Sequence, residues 1–127
     1  MHVHHVGIAT DDLDALTGLY SDLLGMSTVH EETFEGMNIA FLDAGNGYLE
    51  LLEPTEGGPI ADYLDDRGPG IHHLAFETDD ATAALNRARE LGITLVDEEP
   101  RPGAWDHDVA FLHPRDTGGV LVEFVEE

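Results

Sequence analysis

The chain contains one long internal repeat. Two tracts near the start return 68 positions later, His4-His5-Val6 as His72-His73-Leu74 and Thr10-Asp11-Asp12 as Thr78-Asp79-Asp80. The match continues at slightly shifted offsets, with Ala40-Phe41-Leu42 and Ala110-Phe111-Leu112, and with Tyr48-Leu49-Glu50-Leu51 and Leu121-Val122-Glu123-Phe124. Solenoid repeats are shorter, roughly 20–50 residues. The repeat therefore predicts two copies of one larger folded unit.

Each copy predicts the element order βαβββ. In the first copy, residues 1–9 alternate as a strand, and a helix capped by Thr10 or Asp11 ends at Gly25. Strands are predicted over residues 26–29, 37–44 and 47–53. In the second copy, a strand holding His73 precedes a helix over about residues 80–91 and strands over residues 93–97, 108–113 and 119–125.

These elements predict an α+β fold. The two tandem βαβββ modules are expected to form a curved mixed sheet around a central metal site, with the helices on the outside. Module one spans about residues 1–54, and module two about residues 71–127. The connector, residues 55–70, includes a short predicted helix over residues 59–66. The whole chain, residues 1–127, is predicted to be a single domain.

Strand alternation places one histidine and one glutamate of each copy on the same open face. Glu50 lies between two leucines that would pack under the helix, so its carboxylate points to the other face, with His5. The same pattern pairs Glu123 with His73. Two imidazoles and two carboxylates suit a divalent first-row metal ion, with cobalt, manganese, nickel and zinc all possible. The sequence therefore predicts a metal site at His5, Glu50, His73 and Glu123.

The composition is strongly acidic. There are 27 Asp and Glu residues against five arginines and no lysine, a formal net charge of −22. The acidic residues are spread through foldable sequence, which favours the solvated surface of a halophilic protein over an acidic tail. Nucleic acid is not expected as a partner, because phosphate binding needs a basic patch. With no cysteine, no apolar run long enough for a membrane span and no signal-peptide pattern, a cytoplasmic protein is expected.

Several motifs resemble those of the vicinal oxygen chelate superfamily, which has the glyoxalase/bleomycin-resistance fold. Within it, the chain is most similar to the methylmalonyl-CoA epimerases along nearly its whole length. The shared motifs are His5-Val6-Gly7-Ile8-Ala9, Leu49-Glu50-Leu51-Leu52-Glu53-Pro54, Gly70-Ile71-His72-His73-Leu74-Ala75-Phe76, Glu99-Pro100-Arg101-Pro102-Gly103 and Phe111-Leu112-His113-Pro114. The last two are the more specific to the epimerases.

The resemblance implies a metal-dependent isomerase of the racemase/epimerase class. The expected reaction interconverts (R)- and (S)-methylmalonyl-CoA by removing and returning the C2 proton through a metal-stabilised enolate, with Glu50 and Glu123 as the catalytic pair. It also implies an acyl-CoA thioester substrate, cobalt as the metal and a homodimer. Some epimerases have a separate glutamate where this chain has Ile39, so the second acid/base role is expected to fall on Glu50. Arg101 and Arg115 are candidates for holding the substrate phosphates.

Two alternatives remain open at the level of sequence. A glyoxalase I-type lactoylglutathione lyase uses a similar His/Glu/His/Glu metal set, although its last glutamate strand typically follows an Asp-Pro-Asp-Gly turn. This chain has His113-Pro114-Arg115-Asp116-Thr117-Gly118-Gly119 there instead, which favours the epimerase. A non-catalytic ligand-binding relative is disfavoured because all four expected ligand positions are filled.

Overall fold

The computed structural model describes residues 1–127, which form eight strands and three helices. The strands are β1 (His2–Ala9), β2 (Thr28–Phe34), β3 (Met37–Asp43), β4 (Tyr48–Pro54), β5 (Gly70–Glu77), β6 (Arg101–Pro102), β7 (Asp108–Leu112) and β8 (Val122–Glu126). The helices are α1 (Leu13–Leu24), α2 (Pro59–Arg67) and α3 (Ala81–Glu90). The α+β class and the βαβββ order of each copy are confirmed. None of the helices is long and apolar enough to cross a membrane.

The chain divides into two compact units. The continuous unit is residues 5–72, and the split unit combines residues 1–4 with residues 73–127. The boundaries therefore fall inside β1, between His4 and His5, and inside β5, between His72 and His73. The prediction that the chain is a single domain stays a prediction.

In the continuous unit, β4 pairs with β1 in parallel and with β3 antiparallel, and β3 pairs with β2 antiparallel. Glu50 lies opposite Gly7 on β1 and opposite Phe41 on β3. Helix α1 covers one face of this sheet. Its core joins residues of β1, β3 and β4 to residues of the helix, namely Ile8, Ala40, Leu42, Leu49, Leu51, Leu13, Leu16 and Tyr20.

The split unit repeats this register. Strand β8 pairs with β5 in parallel and with β7 antiparallel, so Glu123 lies opposite Ala75 and opposite Phe111. Two residues of α3, Leu85 and Ala88, pack with Val122, Phe124 and other apolar residues of this sheet. In both units the neighbours of the glutamate pack against a helix, as the alternation predicted.

Both copies attach the start of the helix to the strand that carries the glutamate. The Leu13 amide donates to Glu53 Oε2 at 2.9 Å, and the Ala81 amide donates to Glu126 Oε1 at 2.8 Å. The acceptors Glu53 and Glu126 lie three residues after Glu50 and Glu123, respectively. Their side chains therefore point to the opposite face of the strand, toward the helix. Negative charge is favourable at a helix N-terminus, so this bond fixes the start of the helix relative to the strand that carries Glu50 or Glu123.

Four sequence predictions need correction. The cap of α1 is Asp12, whose carboxylate accepts from the Ala15 amide, and not Thr10 or Asp11. The strand predicted over residues 26–29 begins at Thr28 and continues to Phe34. The last strand begins at Val122, not at residue 119.

The fourth correction concerns residues 93–97, which form no strand and only a single bridge from Leu95 to Leu112. The carboxylate of Asp97 accepts from the Phe111 amide at 2.8 Å, while the amides of Val96 and Asp97 both donate to the Phe111 carbonyl. A side chain thus takes a ladder position that a backbone carbonyl would fill in a regular strand.

Candidate metal centre

The continuous unit holds a buried histidine–glutamate pair. His5 Nε2 lies 3.3 Å from Glu50 Oε1, and the two residues are only 3% and 6% exposed. Gly7, directly opposite Glu50 on β1, has no side chain to compete for the space beside the carboxylate. The pair follows from the parallel register of β1 and β4. Because His5 lies two residues before Gly7, its side chain points to the face of the sheet that carries the Glu50 carboxylate.

The split unit contains the matching pair. His73 Nε2 lies 3.2 Å from Glu123 Oε1, with 4% and 5% exposure. Ala75 occupies the position opposite Glu123 and is fully buried. All four residues predicted from the sequence are thus buried, and each histidine lies beside the glutamate of its own copy.

An aromatic ring supports each histidine, a feature that the sequence predictions did not assign. The His5 ring meets Phe41 edge-on, with centroids 5.6 Å apart and planes at 87°. The His73 ring meets Phe111 at 5.6 Å and 80°. Each phenylalanine lies directly opposite its glutamate across an antiparallel pair. The signal was present in the sequence, because Phe41 and Phe111 are equivalent positions of the repeat.

The donor chemistry of these pairs fits a metal ion. A buried carboxylate is costly unless its charge is compensated, and a neutral imidazole does not supply a full positive charge. Nitrogen and oxygen ligands in equal number suit divalent first-row metals. The residues present therefore fit a divalent metal ion.

The two candidate phosphate-binding arginines differ in their surroundings. The Arg101 guanidinium lies over the Phe111 ring, 5.6 Å from its centroid, and its Nε is 3.0 Å from Asp97 Oδ1. Arg101 thus adjoins the ring that supports His73. Arg115 instead donates to Thr94 Oγ1, and its side chain is 65% exposed.

Other sequence-predicted features also have definite positions. Ile39 is 1% exposed and packs in β3 opposite Leu52, so an apolar side chain fills the position at which the resemblance would place a separate glutamate. His72, next to the expected ligand His73, contacts the Tyr63 ring of α2 at 5.1 Å. His4, next to His5, bonds to Glu127 in the split unit.

Comparison with known proteins places the chain in a family. The model of the glyoxalase/bleomycin resistance protein/dioxygenase superfamily matches residues 4–111. The ethylmalonyl-CoA/methylmalonyl-CoA epimerase of Cereibacter sphaeroides is 39% identical over 127 residues, covering 95% of this chain and 94% of that protein. This chain belongs to the glyoxalase/bleomycin resistance protein/dioxygenase superfamily.

Solved structures agree with this assignment. The methylmalonyl-CoA epimerase of Mycobacterium tuberculosis is 42% identical, with a TM-score of 0.93 over 98% of this chain and 87% of that one. A variant of the Streptomyces coelicolor methylmalonyl-CoA epimerase, in complex with 2-nitronate-propionyl-CoA, is 38% identical, with a TM-score of 0.93 over 100% of this chain and 94% of that one. The similarity thus extends along both copies of the repeat.

Proposed function

We propose that this protein is a methylmalonyl-CoA epimerase, which interconverts the (R) and (S) forms of methylmalonyl-CoA. The observation that carries the proposal is the duplicated buried pair, His5 with Glu50 and His73 with Glu123, in a chain that is similar to several proteins of that name. The acyl-CoA analogue bound by the Streptomyces coelicolor relative supports the same substrate class.

His5, Glu50, His73 and Glu123 would together hold one divalent metal ion, with cobalt the choice that the resemblance favours. When bound, the ion supplies a Lewis acid toward the thioester oxygen, where negative charge develops. The imidazoles would hold it through Nε2, the ring nitrogen that lies beside the carboxylate in both pairs. Burial of all four side chains keeps competing water away from them.

Inversion at C2 needs one group to take the proton from one face and another to return it on the opposite face. Glu50 and Glu123 are suited to these two roles because they occupy the same register position in the two copies. For one epimer, a carboxylate oxygen of Glu50 would accept the C2 proton and Glu123 would donate one; for the other epimer the roles exchange. Ile39 cannot carry a proton, which leaves the second role to Glu50.

Arg101 is the better of the two arginine candidates for binding an anionic part of the substrate. Its stacking on Phe111 and its contact with Asp97 restrict the guanidinium to the neighbourhood of His73. Its side chain is still 42% exposed, so it can reach a ligand. A fixed planar guanidinium is well suited to carboxylate or phosphate oxygens.

The test is solvent exchange at C2. Metal-loaded protein is incubated with (R)-methylmalonyl-CoA in deuterated water, and deuterium incorporation and the configuration at C2 are followed together. We expect deuterium at C2 and equilibration of the two epimers, and neither with the Glu50→Gln/Glu123→Gln double variant. Turnover of a glutathione hemithioacetal, without exchange into methylmalonyl-CoA, would instead assign the glyoxalase I reaction.

A further inference from the structure

A second cluster of metal-ligand side chains lies within the split unit, apart from the His73–Glu123 pair. It consists of His4 at the start of the chain, His107 just before β7 and Glu127 just after β8. One ligand atom from each of the three lies within 4.8 Å of the others. His4 Nε2 is 2.8 Å from Glu127 Oε1, and His107 Nε2 is 3.7 Å from the same oxygen. The two imidazole rings meet edge-on, with centroids 5.2 Å apart.

The two histidines are held by their surroundings. His4 is 2% exposed. The Trp105 ring stacks on His107, at 5.5 Å and 24°, and the His107 carbonyl accepts from the Gly103 amide at 2.8 Å. Trp105 and Asp106 both have left-handed backbones, with φ of 60° and 56°. Such conformations are uncommon for residues other than glycine and are found where a loop is fixed to position a side chain.

We propose that His4, His107 and Glu127 form a second divalent-metal site that binds an ion of the zinc class. Two imidazoles and a carboxylate are a ligand set that zinc uses with a fourth position left to water. Ligand atoms bound tetrahedrally at about 2.1 Å from zinc lie roughly 3.4 Å from one another. Here the Nε2 atoms of His4 and His107 lie 2.8 Å and 3.7 Å from Glu127 Oε1, and all three ligand atoms lie within 4.8 Å of one another. Glu127 is the exposed member, with 46% of its side chain accessible, so an ion can enter from solvent on that side.

The repeat shows that this cluster is not a by-product of the duplicated pairs. His4 corresponds to His72, 68 positions later. His107 and Glu127 correspond to Met37 and Pro54, which lie 70 and 73 positions earlier and face each other across β3 and β4. The first copy therefore lacks two of the three ligands, and its His72 contacts Tyr63 instead. The second site is specific to one copy, and His72→Ala is its matched control.

The experiment counts the zinc ions bound by the full-length protein. Metal-stripped wild type and variants are titrated with Zn²⁺ alone by calorimetry, and bound zinc is measured after dialysis. His107→Ala and Glu127→Ala should each bind one equivalent less than wild type, whereas His72→Ala should bind as many as wild type. Glu127 follows the last strand, so Glu127→Ala tests the site even where His107→Ala disturbs its turn.

Further variants separate this site from the proposed active site. His73→Ala should lose the zinc ion of the proposed active site, which His107→Ala should keep. The double variant His73→Ala/His107→Ala should lose the zinc ions of both sites. His107→Ala, reloaded with metal, should keep the epimerisation rate of wild type. Equal zinc binding by wild type, His107→Ala and Glu127→Ala would overturn the second site whatever the result of the exchange assay.

Discussion

The two adjacent histidines of β5 have different partners. His73 lies beside Glu123, whereas the adjacent His72 points to Tyr63. We expect His73→Ala to prevent metal binding at the proposed site of His5, Glu50, His73 and Glu123 and to reduce epimerisation by at least about 100-fold, since even groups that only support a ligand account for about 10–100-fold in metal affinity. His5→Ala should behave alike.

His72→Ala is the control for that substitution. It should keep both metal and activity, because its ring contacts α2 in the continuous unit. Metal analysis of the dialysed variants and the exchange rate at C2 measure the two effects. If His72→Ala lost the metal and His73→Ala kept it, the assignment of strand faces would be wrong.

The Phe111 ring contacts the His73 ring edge-on, and the Arg101 guanidinium lies over the same Phe111 ring. Phe111→Leu should therefore lower metal affinity and kcat/KM by about 10–100-fold, as expected when a group that orients a ligand is removed. Phe124→Leu is the matched control, because Phe124 packs against the helix side of the same sheet. Similar losses of thermal stability in the two variants, with a loss of metal only in Phe111→Leu, would support this role. Equal metal affinity in both would contradict it.

Glu50 and Glu123 can be distinguished by stereochemistry. Glu50→Gln keeps an oxygen ligand and the size of the side chain but removes a group that can carry the C2 proton. It should retain much of its metal, lose epimerisation and still exchange the C2 proton of one epimer with solvent. Glu123→Gln should show the opposite preference. Both are measured by deuterium incorporation starting from each pure epimer, and full epimerisation by Glu50→Gln would assign the second proton to another group.

At the scale of elements, the turn after β7 is fixed by a carboxylate. Asp116 accepts from the Thr94 amide at 2.8 Å, and its hydrogen bonds with Thr94 hold the pKa of Asp116 below the ordinary value of 3.8. A lowered pKa contributes stability that is present above 3.8 and is lost as pH falls through the pKa of the folded state. Asp116→Asn should therefore lower the melting temperature at pH 7.

The pH dependence provides the check on Asp116. The difference in melting temperature between wild type and Asp116→Asn should shrink as the pH falls from 3.8 through the lower pKa of the folded state, because Asp116 is protonated below that pKa and both proteins then have an uncharged side chain at this position. Asp65→Asn, at an exposed position of α2, is a control with the same change in net charge. A difference that persists unchanged at low pH would show that the hydrogen bonds do not depend on the charge of Asp116.

The elements also show what the sequence could and could not predict. The repeat and the alternation predicted the βαβββ order and the facing of Glu50 and Glu123, because both depend only on local period. Alternation failed at residues 93–97, where hydrogen bonding by the Asp97 side chain interrupts the ladder. The cluster at His4, His107 and Glu127 was missed because its members are far apart in sequence, and because Met37 and Pro54, which cannot bind a metal in this way, stand at the equivalents of His107 and Glu127 in the first copy. Local patterns do not report such contacts.

At the scale of the whole molecule, the net charge of −22 predicts a dependence on salt. Molar salt shortens the screening length to about 3 Å and so weakens repulsion among the carboxylates. We expect the melting temperature to rise between 0.1 M and 2 M NaCl. A gain of 1 kcal/mol corresponds to roughly 2–8 °C for chains of this size range.

Sucrose at matched osmolality is the control for that measurement, because it stabilises by exclusion from the protein surface without screening charge. A melting temperature that is indifferent to NaCl would contradict the halophilic interpretation. The homodimer implied by the resemblance and the cytoplasmic location expected from the composition stay predictions, and the same salt series followed by light scattering would measure the oligomeric state.

The division of one unit into two stretches of sequence affects the order in which the two units can fold during synthesis. Residues 1–4 of the split unit are made before the continuous unit, whereas β8, which belongs to the same unit, is made after it. The continuous unit, residues 5–72, is a single stretch and can fold while the second copy is still being synthesised. His4 is therefore synthesised before the continuous unit, and the bond with Glu127 can form only after 123 further residues have been made.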